Sequence, residues 1–544
     1  MTAKLKRYPR LAWTITGALI AIPPIMGLYA LWLGQDASWD LRNYHFYNPF
    51  AYLTGRMGYD IAVAHVATYY NPLMYIPFYY AVCAFPPKVI GFVLGLIPGC
   101  NIFLLYAIAR RATQARQTRG GCWLCLAVAL TGFFGAVNLS EIGTSFGDNI
   151  LSLLVLAAVW LIISQRRRFE EDIRPGALVA VAAGALAGAA FGLKQPFAVY
   201  AVGLCAAFFG LGISFRRRFL LAFVFGLGVL AGAAATGGFW MIEMWDRYQN
   251  PLFPYFNQLF QSPWGAPAPY RDERFLPQDA TDWLMFPFRP VRYPTGLGEV
   301  FFRDLRFPLL YLLAAGLLIK RALSRIRGTG APGPQATPDD PGAVRPFILI
   351  FMAVSFILWM KLFGVYRYVI VLELLAPLAI LLVWGALVRR TGFRTILAAA
   401  CFVLILATLV PGDWDRRPWG PDYFGVASEV PPVPGDSLVL GAGFEPMAYM
   451  IPFFPPQVRF LRIQGYMTGP SSTPNETDRL MRGTIDAHRG PLYILFRSFD
   501  VENVLGALSA YGLEISGNCR ELTPHVEPQQ EHPFYLCTVR KRSS

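Results

Sequence analysis

Four groups of polar residues interrupt a largely apolar chain, and their types and spacing are suited to chemistry. The first is the run GQDASWDLRNYHFYNP, 34–49, in which Asp40 lies seven residues past Leu33, with Asn43, Tyr44 and His45 close behind. A carboxylate there could deprotonate a hydroxyl or hold a metal ion. It could equally cap a helix, a position that favours Asp, and spacing does not rank Asp36 against Asp40. The second is NLSEIGTSFGDN, 138–149, where Glu141 and Asp148 bracket a short loop with Gly143 and Gly147. Glycines there permit tight turning and close approach of a ligand. Asp148 also suits the N-terminus of the apolar helix that follows, but two acids flanking one turn favour a functional reading. The third is Lys194-Gln195-Pro196, an isolated cation between two apolar runs, suited to a phosphate oxygen or to snorkelling. The fourth is Tyr366-Arg367-Tyr368, where Arg367 could clasp phosphate through two parallel hydrogen bonds or anchor an interface.

The elements that must hold these groups are membrane helices. The chain has 544 residues, 55% hydrophobic and only 15% charged, with a mean hydropathy of +0.41. Soluble domains carry roughly 25% charged residues, and the apolar residues here come in runs long enough to cross a hydrocarbon layer. Eleven spans fit: 11–33, 89–109, 121–138, 149–164, 175–193, 195–214, 219–241, 307–320, 346–361, 368–388 and 394–411. Basic clusters at Arg110–Arg119, Arg166–Arg168, Arg216–Arg218, Lys320–Arg327 and Arg389–Arg394 then all fall on one side. By the positive-inside rule that side is cytoplasmic. The first span follows Lys4, Lys6, Arg7 and Arg10 and is too long for a cleaved leader. It is expected to be retained, with its N-terminus in the cytoplasm. The net charge of +14 resides in these loops. No basic stripe carries interleaved stacking aromatics, so no nucleic-acid partner is expected.

The outer loops are expected at 34–88 and 242–306. Asn71 to Phe85 is short, aromatic and opens with Asn-Pro; counted as a span it would invert the charge pattern, so it is expected to lie at the outer interface. A re-entrant hairpin is the competing reading. The 242–306 loop is aromatic and proline-rich, long enough to shape a cleft or lid, and singles out no catalyst. Residues 328–345 read as a Gly/Pro-rich linker. The chain divides at 411/412 into a transmembrane domain, 1–411, and a soluble α/β domain, 412–544. In the latter, strands are expected at Ser437–Leu440, Leu492–Phe496, Leu513–Ile515 and Phe534–Val539, and a helix at Glu502–Tyr511. Cys519 and Cys537 lie in or beside the last two strands on the oxidising side. A disulfide there closes a loop of about 18 residues, worth roughly 3 kcal/mol by chain entropy. The other six cysteines lie in or beside apolar spans as small filler, the Cys122–Cys125 pair included. No phosphate-cradling loop, dinucleotide fingerprint, nucleophile elbow or zinc-protease motif stands in a credible context, and His488, His525 and His532 lack metal-ligand spacing.

With these residues in place, the chain resembles the GT-C superfamily of integral-membrane glycosyltransferases. The matching features are an acidic residue soon after the first span, here Asp40; a long first outer loop with interfacial helices, the Asn71-Pro-Leu stretch resembling the second of them; an acidic loop after the third span, here Glu141 and Asp148; and a soluble domain after the helices. The first loop, Trp39 to Arg56, is similar to a WDxxNYHxYNPxAxxxGR pattern in bacterial members. The resemblance implies inverting transfer of a sugar from a polyprenyl-phosphate donor to the hydroxyl of a glycan or glycolipid acceptor. The reaction would occur on the periplasmic face of a bacterial inner membrane. It gives Asp40 the role of general base. Lys194, Arg367 or a divalent cation held by Glu141 and Asp148 would stabilise the leaving phosphate; the chain has no DxD. Asn43, His45, Asn71, Lys194, Gln195, Tyr366 and Arg367 are the expected substrate-binding residues. The alternatives are a transporter or lipid flippase, which would place ionisable residues at the bilayer midplane, and a non-catalytic scaffold.

Overall fold

The computed structural model describes residues 9–113, 118–327, 344–470 and 473–542; all but the last two residues of the expected 328–345 linker lie outside them. Among the described residues, eight helices are long and apolar enough to cross a membrane: Arg10–Leu33, Pro87–Ala112, Ile173–Leu193, Phe215–Tyr248, Arg306–Ile326, Val344–Leu362, Tyr366–Leu387 and Thr391–Thr408. The chain is therefore a multi-pass membrane protein. Arg119–Phe133, Asp148–Ser164 and Gln195–Gly210, where three further spans were expected, are shorter apolar helices, as is Leu73–Ala84.

Small residues set the packing. Along Ile173–Leu193 and Phe215–Tyr248, a Cβ at Gly184, Gly188, Gly228 or Gly232 would run into a carbonyl of the facing helix, so the two backbones touch as membrane helices with small interfaces do. Their close pairing fixes Lys194, the residue that ends the first. Tyr366–Leu387 is the most enclosed helix, with 83% of its apolar window buried, and Arg367 lies at its opening. Lys320 donates to the carbonyls of Ala386 and Leu387 at its far end, where a cation suits the helix dipole.

The C-terminal residues build a five-stranded sheet from β1 (Leu438–Gly441), β2 (Arg459–Arg462), β3 (Leu492–Arg497), β4 (Leu513–Leu522) and β5 (Phe534–Lys541), in the order β2-β1-β3-β5-β4. β1 is parallel to β2 and β3, and β5 is antiparallel to β3 and β4. Helices Glu476–Ala487 and Val501–Ala510 precede and follow β3. The four expected strands are present, and β4 runs past a register shift to Leu522. β2 and the Glu476–Ala487 helix were not expected. β2 is only four residues long and ends on Arg462, a charge that argues against a core strand until its donors are seen to bond the carbonyls of Gly443 and Glu445. Cys519 and Cys537 face each other across β4 and β5 and are joined in a disulfide.

The first loop and this sheet are built into each other. Ile61 exchanges backbone hydrogen bonds with Phe460 and Arg462 of β2, and Asp60 accepts from the Phe460 amide. Gln35–Asp36 pairs with Arg416–Arg417. Arg42, Arg497 and Tyr449 converge on the buried carboxylate of Glu527. Leu41, Tyr44 and Tyr47 share one apolar core with Tyr449, Met450 and Phe460. The loop carrying Asp40 is thus clamped between helices and sheet.

Candidate functional site

Asp40 stands at the start of a wide π turn, 41–45, a distortion often found at functional sites. Its Oδ2 accepts from Arg367 Nη1 at 2.6 Å, and Arg367 Nε lies 3.5 Å from Glu299 of the 242–306 loop. The guanidinium is also stacked over Phe146, Tyr368 and Trp414. A second pair sits beside the first. Lys194 Nζ donates to Asp148 Oδ2 at 2.6 Å and to the Phe146 carbonyl at 3.2 Å. The Tyr368 ring joins the pairs, 5.2 Å from the Arg367 guanidinium and 5.6 Å from Lys194 Nζ. Asp148 opens its helix after Gly147, whose φ of 75° is costly for any other residue. Glu141 Oε2 accepts from the Asn149 amide at 3.1 Å and so caps the same helix.

These groups are nearly enclosed. Asp148 and Glu141 are fully buried, while Asp40 keeps 8% of its surface and the Glu299 side chain 41%, so access is from the Asp40–Glu299 side. Burial is the largest influence on the Asp40 carboxyl and would raise it, but the positive charges around it, the Arg367 guanidinium first and Lys194 with it, together hold it below its usual range. Glu141 has no such partner; burial first, and Asp148 second, push it well above the usual carboxylate range and favour its neutral form.

The structure therefore brings together Asp40, Glu141, Asp148, Lys194 and Arg367, which lie far apart in sequence. Asp36 is distinguished from Asp40 by its partners, since its oxygens accept from the Ser38 and Ser145 amides and the Ser145 hydroxyl. His45 is buried in the cluster, its Nδ1 2.7 Å from Ser145 Oγ. Asn43 is buried and donates to the Ala64 carbonyl. Three residues expected to bind substrate are placed differently. The Asn71 amide group donates to the carbonyls of Gly192 and Thr236, and its oxygen accepts from the Leu73 amide, so it staples the first loop to two helices. Tyr366 points into the core against Phe302 and Phe307, and Tyr368 takes its place at the cations. Gln195 is exposed and takes no part in these contacts.

Sequence reasoning missed Glu299, Phe146 and Trp414, and the buried group behind the acidic loop. There Glu373 accepts from the Val137 and Asn138 amides and lies 3.9 Å from Arg306, which is paired with Asp304. A charge such as Glu373 inside an apolar run was the available signal.

The fit to a divalent cation is poor. Asp148 already has an ammonium group at bonding distance, and no group of three or more His, Cys, Asp or Glu converges among the described residues. Lys194 stands where the cation was expected.

Compared with known proteins, the chain matches no protein-family model, no curated protein and no solved structure.

Proposed function

We propose that the chain is a glycosyltransferase of GT-C type, moving a sugar from a polyprenyl-phosphate donor to an acceptor hydroxyl with inversion. The observation that carries this reading is the pair of ion pairs, Asp40–Arg367 and Lys194–Asp148, joined by Tyr368 at the helix ends. In the transfer, the acceptor oxygen attacks the anomeric carbon and gives its proton to Asp40. The carbon–oxygen bond to phosphate breaks, and its electron pair leaves with the lipid phosphate. A phosphate leaving group needs charge neutralisation more than a proton. Two cations supply it, and the buried Arg367 Nε makes no hydrogen bond of its own.

The topology of the proposal has eleven spans, the three shorter apolar helices included, with the N-terminus in the cytoplasm and the site and sheet on the periplasmic side of a bacterial inner membrane. The one-sided basic clusters support it. The location of the ion pairs favours an enzyme over a transporter: Lys194 ends one helix, while Asp148 and Arg367 open two others. A transporter binds its substrate near the midplane.

The test is release of free polyprenyl phosphate by purified protein from a panel of polyprenyl-phosphate sugars. Turnover of at least one member supports the reading. Uptake of these lipids into vesicles without cleavage of the sugar contradicts it.

A further inference from the structure

His45 is the one ring of the cluster whose protonation is dictated by its neighbours. Asp36 Oδ2 accepts from both the amide and the hydroxyl of Ser145, each at 2.8 Å. Ser145 Oγ has a single proton, and a carboxylate only accepts. If that proton pointed at His45 Nδ1 instead, Oγ and Oδ2 would face each other at 2.8 Å with lone pairs on both. The hydroxyl therefore donates to Asp36 and accepts from His45 Nδ1–H at 2.7 Å. The neutral ring then carries its lone pair on Nε2, which is buried and has no hydrogen-bond partner. Tyr75 stacks on the ring at 4.2 Å, Tyr44 and Phe146 meet it edge-on, and Asp40, Lys194 and Arg367 are its charged neighbours. Burial keeps the imidazole well below its usual range against the pull of Asp40, so it stays neutral beside two cations.

We infer that Asp36 and Ser145 are positioning residues that lock His45 in the Nδ1–H form, so that Nε2 accepts a hydrogen bond from a hydroxyl of the sugar on the lipid-phosphate donor. The sugar follows from the neighbours: Lys194 and Arg367 are the groups suited to the phosphate, and the donor sugar is bonded to it. A neutral acceptor nitrogen has nothing to offer a phosphate oxygen but complements a hydroxyl. The sugar assignment rests on the proposed glycosyl transfer, whereas the lock does not.

Two measurements on the full-length protein separate these parts. The chain has five histidines, so nitrogen NMR of ring-labelled protein, with His45→Asn to assign the signal, resolves this one. The lock gives protonated Nδ1 and bare Nε2 in the wild type, and Ser145→Ala loosens it; a proton on Nε2 in the wild type overturns it. The second measurement compares binding of a polyprenyl-phosphate hexose with that of the bare polyprenyl phosphate. His45→Asn keeps a donor for Ser145 but has no atom at the Nε2 position. It is expected to weaken the glycosylated lipid about tenfold, the scale of one lost hydrogen bond, and to leave the bare lipid unchanged. Equal loss for both lipids, or loss for neither, overturns the sugar contact. Failure of the wild type to bind either lipid, with the nitrogen signature intact, overturns the contact and the glycosyl-transfer reading and leaves the lock standing.

Discussion

The Arg367 guanidinium holds Asp40 in its charged form, and the proposed base role depends on that pairing. A carboxylate kept below its usual range is ionised across the physiological window. Activity that depends on ionised Asp40 is lost only as pH falls through that depressed value. Transfer rate measured against pH is therefore expected to hold its plateau past roughly pH 4, where an unperturbed carboxylate would already be half protonated. Glu141 behaves oppositely. Its raised value means that ionisation costs the folded state stability as pH rises from the usual glutamate range through the raised one. Glu141→Gln mimics the neutral form and can still accept from the Asn149 amide. It is expected to unfold at a higher temperature than wild type at pH 8, with the difference vanishing near pH 4. Asp40, Asp148, Lys194 and Arg367 were legible in the sequence because charges beside apolar spans are rare and costly. The Asp36–Ser145–His45 chain was not, since its members join positions 109 residues apart and nothing local marks Ser145 as a partner.

At the scale of elements, the acidic loop is held from behind by helix ends. Glu373 caps the short 136–140 helix and faces Arg306, and all three members of the Asp304–Arg306–Glu373 group are fully buried. Glu373→Ala leaves Arg306 with a single carboxylate partner and two amides without an acceptor. Breaking a buried pair in this way costs about 3–5 kcal/mol, expected as a marked fall in the thermal midpoint of the purified protein. Gly228→Val is expected to be harsher, since its Cβ meets the Val181 carbonyl and backbone cannot yield as a side chain can; the check is loss of folded protein on size exclusion. The long spans were legible from hydropathy alone. β2 was not, because its worth lies in pairing with β1 and with Ile61 of the first loop, a contact across about 400 residues of chain.

Over the whole molecule, the sheet acts as a wall that fixes the first loop. The buried Glu527, shared by Arg42 of that loop, Arg497 of β3 and Tyr449, is the pin. The composition break near 412 precedes the residues that build the sheet, from Leu438 on, but does not mark its shared core with residues 41–47, which forms only once helices and sheet are assembled. Lys194 is paired with Asp148, and in the proposed transfer it is the cation that neutralises the leaving phosphate. Chelation with EDTA is accordingly expected to leave the transfer rate within about twofold, a change worth under roughly 0.5 kcal/mol. The most direct test compares wild type with Asp40→Asn, which keeps the shape of the side chain and cannot take a proton, for release of polyprenyl phosphate from the donor that the wild type turns over. With Asp40 as the base, release is expected to fall roughly 10²–10⁴-fold, the range for a general base, in a variant that purifies and unfolds like wild type. Unchanged release by a well-folded Asp40→Asn would contradict that role.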